Sequence, residues 1–208
     1  MPTGNMDPYV YLGTNVLKNL RDIRDPERLS KFEMDMTTRR LSELARNLMA
    51  GQFNAQHLQA IHGYIFQDVY GWAGEFRIVN ISRSGQFPFA FPEHIVASLN
   101  KLSDDLAAER HLSRLTISKF CNRAEHYMGE VNAVHAFRDG NGRTQREFIR
   151  QLAGRNGYAL DWSKVAREQM LEASKESFQR GNNAGLEKVL KTALDNEQNR
   201  QRERDREL

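Results

Sequence analysis

Apolar residues recur at three- and four-residue intervals along most of this chain, and the spacing fails once, between Gly71 and Pro92. A period near 3.6 residues commits each regular stretch to an amphipathic helix with one buried side. Asp25-Pro26-Glu27 reads as a helix opening, with Asp as the cap and Pro in the first turn. Leu29, Phe32, Met36, Leu41, Leu44, Ala45 and Leu48 continue that helix, and Gly51 closes it. Leu58, Ile61, Ile65, Phe66 and Val69 mark a second over 55–70, and the pattern resumes over 93–108, 115–134, 143–156, 163–180 and 184–196. Inside the break, Phe76, Ile78, Val79 and Ile81 are β-prone, Ser82-Arg83-Ser84-Gly85 forms a turn, and Phe87, Phe89 and Phe91 alternate. Those are the marks of a hairpin. The expected fold is mainly α, a compact helical bundle with one short β-hairpin.

At 208 residues the chain is long enough for one well-cored domain. A net charge of +3 is too small to imply a nucleic-acid partner, and no stretch interleaves basic residues with aromatics. No apolar run has the length to span a bilayer, and MPTGNMDP has no signal-like core, so a cytoplasmic protein without membrane contact is expected. Cys121, the only cysteine, lies in an apolar-periodic segment and reads as a buried structural thiol. No linker divides the chain. Residues 1–195 are expected to be one unit, and 196–208 a charged helix end or linker.

The chemistry is concentrated in one place. The helix FCNRAEHYMGEVNAV runs directly into His135-Ala136-Phe137-Arg138-Asp139-Gly140-Asn141-Gly142-Arg143-Thr144-Gln145-Arg146, after which another helix begins. Gly140 and Gly142 allow positive φ and close backbone approach. A loop that opens a helix presents free N–H groups to an anion. Arg143 and Arg146, three apart, share a helix face and suit phosphate oxygens. Asp139 can hold the Mg²⁺ that bridges such oxygens. His135, with a reference pKa near ~6.5, can accept a proton near neutrality. Singly, each has a plain alternative. The His can be a cap, Gly-Asn-Gly a turn, Asp139 a helix cap, and the arginines solvated or paired with Glu147. Thr144 and Glu147 also have capping-box spacing, which starts the helix slightly later. Phe137 reads as a core anchor for the loop.

HAFRDGNGRTQR resembles the Fic motif, HxFx(D/E)GNGRxxR, at every fixed position, with Ala136 where Pro is common. The resemblance extends over roughly 9–187, through FQDVYGWAG before the hairpin and GYALDW after the motif helix. It implies a protein adenylyltransferase: ATP and Mg²⁺ bound, and AMP moved to a Ser, Thr or Tyr hydroxyl of a target protein docked on a flap at about 81–91. It implies His135 as general base and Asp139 as metal ligand. Gly140, Asn141 and Gly142 become the anion nest, Arg143 and Arg146 the phosphate contacts, and Ser82 and Arg83 neighbours of nucleotide and target. A kinase-like relative carries Lys at the position of Gly142, so the intact glycine favours AMP transfer. Many members carry an inhibitory [S/T]xxxE[G/N] helix. No Ser or Thr in this chain has Glu four residues later. The expectation is therefore a toxin whose inhibitory Glu comes from a separate small antitoxin and pairs with Arg146. The alternatives are the catalytic part of a secreted effector, acting in a host cell, and a non-catalytic ATP-binding module.

Overall fold

The computed structural model describes residues 7–83 and 87–207. Among these, eight α-helices follow in order: α1 Pro26–Arg46, α2 Ala55–Phe66, α3 Ile95–Ala108, α4 Ile117–Val134, α5 Asn141–Arg155, α6 Arg167–Arg180, α7 Ala184–Leu194 and α8 Glu197–Glu207. Local chemistry sets several of the starts. The Asp25 carboxylate accepts the Arg28 N–H at 2.8 Å ahead of Pro26, and Asn54 does the same for His57 at 2.9 Å. α1 opens where Asp25-Pro26 indicated and ends sooner than the apolar spacing suggests. Asn47 leaves the helical region, and Leu48 occupies the space a Cβ on Gly154 of α5 would need.

α4 runs through the middle of the core. Phe120, Cys121, Ala124, Tyr127 and Met128 on it are wholly buried, and α3, α5, α6 and α7 pack around it. The Cys121 thiol is pushed up to about 12 by burial, which makes it inert, as the sequence indicated. α2 lies against α1 and α5. The charged end of the chain, which the sequence left as helix or linker, is helix α8, and it docks through polar contacts. Buried Asn199 donates to the carbonyls of Ala159 and Leu194, each at 2.8 Å, and accepts the Ala159 N–H at 3.0 Å.

The expected hairpin is much shorter than its composition. Among its described residues the paired strands are β1 Ser82–Arg83 and β2 Phe87–Pro88, antiparallel in register Ser82↔Pro88 and Arg83↔Phe87. Ser82 and Arg83, expected in the turn, are strand β1, and the rest of the expected turn, Ser84 and Gly85, lies outside the described residues. Phe76 to Ile81 form no strand, because their groups are used elsewhere. The Phe76 ring packs at 5.5 Å from Phe137, and the Arg77 N–H donates to Ala136 O at 3.0 Å.

Arg77 is 2% exposed and has no carboxylate partner among the described residues. Its guanidinium donates to four backbone carbonyls: His135 and Val79 at 2.8 Å, Val134 at 3.2 Å, and Ala90. Two of these close the C-terminal end of α4, where unpaired carbonyls and the helix dipole favour a cation. The other two belong to the chain on either side of the hairpin. One side chain thus joins the helix that ends at His135 to both limbs of β1–β2. Burial still disfavours the charge and lowers its pKa.

Replacing Arg77 by Met strands several buried carbonyls, each worth ~1–3 kcal/mol when left unpaired. Urea unfolding should therefore show a loss of about 3 kcal/mol or more in Arg77→Met. Arg77→Lys should recover part of it. A variant as stable as the native chain would remove Arg77 from this role.

Candidate active site

α4 stops at Val134, and His135 turns the chain with left-handed backbone (φ 49°, ψ 59°). The loop that follows is closed by its own asparagine. Asn141 Oδ1 accepts the Phe137 N–H at 2.9 Å, and Nδ2 donates to Phe137 O at 2.7 Å. The Asn141 side chain is therefore a staple, and only its main chain is left for an anion. Gly140 has φ 79°, and a Cβ there would sit 2.2 Å from the Phe66 ring. Glycine is required on both counts. α5 then opens directly at Asn141, so the N–H groups of Asn141, Gly142 and Arg143 have no intrahelical acceptor. The capping-box reading of Thr144 and Glu147 is overturned. Thr144 is inside the helix and bonds back to Gly140 O at 3.1 Å, while Glu147 pairs with Arg150 at 2.7 Å.

The loop is backed by a residue the sequence reading passed over. His62 on α2 is fully buried, and its ring stacks on Phe137 (3.9 Å, 11°) and Phe66 (4.6 Å). Its Nδ1 accepts the Gly74 N–H at 2.8 Å, so Nε2 carries the proton and donates to Asp139 O at 3.1 Å. Phe137 is 1% exposed and anchors the loop as expected. The signal for His62 was its place beside Ile61 on the buried stripe of α2.

A cavity of about 490 Å³ opens beside the loop, a size suited to a nucleotide-scale ligand. His135, Gly142 and Arg146 line it, together with Asn132, Gln145 and a wall from the α6 region that includes Trp162 and Met170. The His135 ring lies flat on Phe89 (3.8 Å, 10°), and its Nδ1 is 3.2 Å from Asn132 O. A carbonyl only accepts, so Nδ1 holds the proton and the lone pair of the neutral ring is on Nε2. Arg146 is half-buried, and among the described residues its guanidinium has no carboxylate partner. Burial, with the neighbouring Arg143 cation, lowers its pKa. A cation so placed gains from any anion that enters.

Arg143 does not share this cavity. Its Nη2 meets Glu33 of α1 at 2.5 Å, Nη1 donates to Thr37 Oγ1 at 3.2 Å, and the guanidinium stacks 4.6 Å above the Phe66 ring. Positions three apart on a helix still differ by ~60° in direction. That is enough for one arginine to reach α1 and the other the cavity. Glu33 also accepts the Tyr70 hydroxyl. Asp139 accepts the Gly140 N–H at 2.6 Å through Oδ1, and burial and the nearby Glu33 raise its carboxyl pKa. No cluster of three or more His, Cys, Asp or Glu suited to a metal occurs among the described residues. Ser82 sits exposed on β1 and does not line the cavity. Arg83 is paired through its main chain, and its side chain lies outside the described part.

Burial pushes the His62 pKa down to about 4. The folded chain therefore resists protonation that the unfolded chain accepts near pH ~6.5, and the stability tied to a neutral His62 is full above ~6.5 and declines as pH falls toward 4. At pH 5 the loss from this group is about 2 kcal/mol. His62→Gln should flatten the stability profile between pH 6.5 and 5 by that amount in denaturant titrations. An unchanged slope would show that His62 does not titrate this way.

Comparison with known proteins places this geometry in context. A model of the Fic/DOC family matches residues 52–153. The chain is 43% identical over 175 residues to "Protein adenylyltransferase VbhT" of Bartonella schoenbuchensis, covering 84% of this chain and 36% of that protein. It is 42% identical over 174 residues to "Probable protein adenylyltransferase y4lH" of Sinorhizobium fredii, covering 83% and 88% of the two chains. Among solved structures, the BepC effector protein of Bartonella tribocorum with bound AMPPNP is similar at 26% identity and a TM-score of 0.84, over 89% of this chain and 95% of that one.

Proposed function

The chain belongs to the Fic/DOC family, and on that footing we propose that it moves AMP from ATP to a Ser, Thr or Tyr hydroxyl of another protein. The observation that carries this is Arg146, a half-buried guanidinium with no carboxylate partner among the described residues, on a cavity it shares with His135. A structural arginine finds a carboxylate or a row of carbonyls, as Arg143 and Arg77 do. An arginine left waiting beside a proton acceptor suits a phosphate chain. The proteins similar to this chain include two named as adenylyltransferases and one solved with an ATP analogue. The same cavity, with its His135, argues against a module that only binds ATP, since holding phosphate needs no base.

In this reading the triphosphate lies along the opening of α5, with the N–H groups of Asn141, Gly142 and Arg143 and the Arg146 guanidinium on its oxygens, while Gly140 shapes the turn through its positive φ. The target oxygen attacks the α-phosphorus while its proton passes to His135 Nε2. The bond from the α-phosphorus to the oxygen bridging to the β-phosphate breaks, and pyrophosphate leaves. His135 becomes a cation at the C-terminal end of α4, with Nδ1–H held by Asn132 O, where the helix carbonyls favour positive charge. Asp139 fits the metal role. One oxygen accepts the Gly140 N–H, and burial, with the nearby Glu33 second, raises the carboxyl pKa, a cost to the carboxylate that a bound cation would offset. There Mg²⁺ needs only one or two carboxylates besides phosphate oxygens, and when bound it neutralises phosphate charge. Arg143 supports the site through Glu33, and the hairpin about 81–91 receives the target.

Regulation follows from Arg146 too. The chain lacks the inhibitory pattern, and we place the missing Glu on a separate small antitoxin that pairs with Arg146. Expression without that partner should arrest growth, and a chain harmless by itself would sink the idea. A second setting is favoured by the 36% coverage of VbhT and the similarity to a Bartonella effector. Here residues 1–195 form the catalytic part of a longer, translocated protein, and 196–208 lead onward. No helix among the described residues is long and apolar enough to cross a membrane.

With α-labelled ATP, His135→Ala should lower target labelling by ~10²-fold or more. His135→Gly should be equally inactive yet more stable by about 1 kcal/mol, because the left-handed backbone strains any residue with a Cβ. Arg146→Ala should raise the ATP KM by about tenfold or more, the loss of one charge-assisted contact, while Arg143→Ala acts mainly on melting temperature. Undiminished labelling in His135→Ala would refute the assigned base. Equal KM effects from the two arginines would refute their division.

A further inference from the structure

An imidazole is oriented by what bonds its edge and by what packs on its face, and the described residues show both at His135. The Nδ1–H bond to Asn132 O, 3.2 Å long, restrains the ring at one edge. Rotation about the terminal side-chain torsion is broad for histidine, so a bond at one edge leaves the plane of the ring to be set by what packs on its face. The second constraint comes from the hairpin. Phe89 directly follows β2, is 7% exposed, and lays its ring parallel to the His135 imidazole at 3.8 Å and 10°. Phe89 is itself fixed, by Phe178 of α6 at 4.4 Å and by its N–H on Ile81 O at 3.1 Å. The neighbouring Ala90 is held by Arg77, which also grips His135 O. Base and hairpin are therefore joined twice, once through side-chain rings and once through main-chain carbonyls.

We infer that Phe89 is a positioning residue for the base: its ring, carried by the hairpin, holds the His135 imidazole so that Nδ1–H meets Asn132 O and Nε2 carries the lone pair. The role in turnover rests on the reading of His135 as the base of AMP transfer. It also gives the hairpin a second task. Among the described residues the hairpin pairs Ser82 with Pro88 and Arg83 with Phe87, and the Phe89 N–H meets Ile81 O just beyond. A target that pairs with it fixes Phe89, and through Phe89 the ring that takes the target's proton. Poor targets leave the base misaligned even when ATP is bound.

The test uses the full chain with Phe89→Leu and Phe89→Tyr, read by AMP transfer and by NMR of labelled histidine. Phe89→Met, which keeps volume without a ring, serves if the Leu variant does not fold. In the ring-less variant kcat should fall about tenfold while the ATP KM stays within about twofold, because the defect is one of alignment. Phe89→Tyr should restore most of the rate. The His135 Cε1–H resonance, shifted upfield by the stacked ring, should move downfield in the ring-less variant and stay in the Tyr variant. The Nδ1-protonated tautomer should lose population in the same variant. Unchanged kcat without the ring, or equal losses in Leu and Tyr variants, overturns the proposal. Should the native chain transfer no AMP, the transfer reading falls by itself and the NMR arm decides. A His135 shift and tautomer indifferent to Phe89 then overturn the positioning role, and their change supports it.

Discussion

A buried guanidinium bonded to backbone carbonyls holds this molecule's working parts together. Arg77 spends its donors on backbone carbonyls, two at the end of α4 and two flanking the hairpin. Without them the end of α4 would leave carbonyls unpaired inside the protein, a costly state. The same bonds decide where α4 ends, and hence where His135 turns. Phe76 to Ile81 then cannot form a strand, since Arg77 uses Val79 O for itself and gives its own N–H to Ala136. Helix end, loop entry and hairpin base are one solution to a single problem of satisfying polar groups.

Three arginines show how partners, not residue type, assign roles. Arg77 is neutralised by carbonyl dipoles, Arg143 by Glu33 and the face of Phe66, and Arg146 by no carboxylate among the described residues. A paired guanidinium gains little from a phosphate, because it must first give up what it has. Arg146 gives up only what remains of its water. The difference in desolvation already suffered is what makes one arginine a receptor and its neighbour a brace.

Most of the helices were legible because burial imposes a period that survives in the residues, and the loop was legible because its glycines, His and charges fall together. Legibility failed where the deciding partner is distant in sequence. Arg143 is claimed by Glu33, 110 positions away, and His62 supports Asp139 across 77. Neither pairing leaves a local trace. Asn141 looked like part of an anion nest, yet its side chain is consumed in closing the loop on Phe137. The hairpin was overdrawn for a related reason. β-prone composition reports apolar side chains wanting burial, and Phe76 finds it on Phe137 with no strand at all.

The site sets rigidity against looseness in a useful order. The loop is over-determined: a staple from Asn141, a stack from His62, a glycine pressed on Phe66 and a brace from Arg143 all fix the same few residues. Phosphate oxygens held there meet donors that need no rearrangement, which is where electrostatic stabilisation is strongest. The hairpin is the opposite, with four paired residues among those described and further ties to α6 and Arg77. A rigid floor suits a ligand that is always the same, and a weakly self-paired edge suits a partner that brings its own strand. The imidazole stands between the two, bonded to the helix on one edge and stacked on the hairpin across its face. It is a cavity-lining group that touches both.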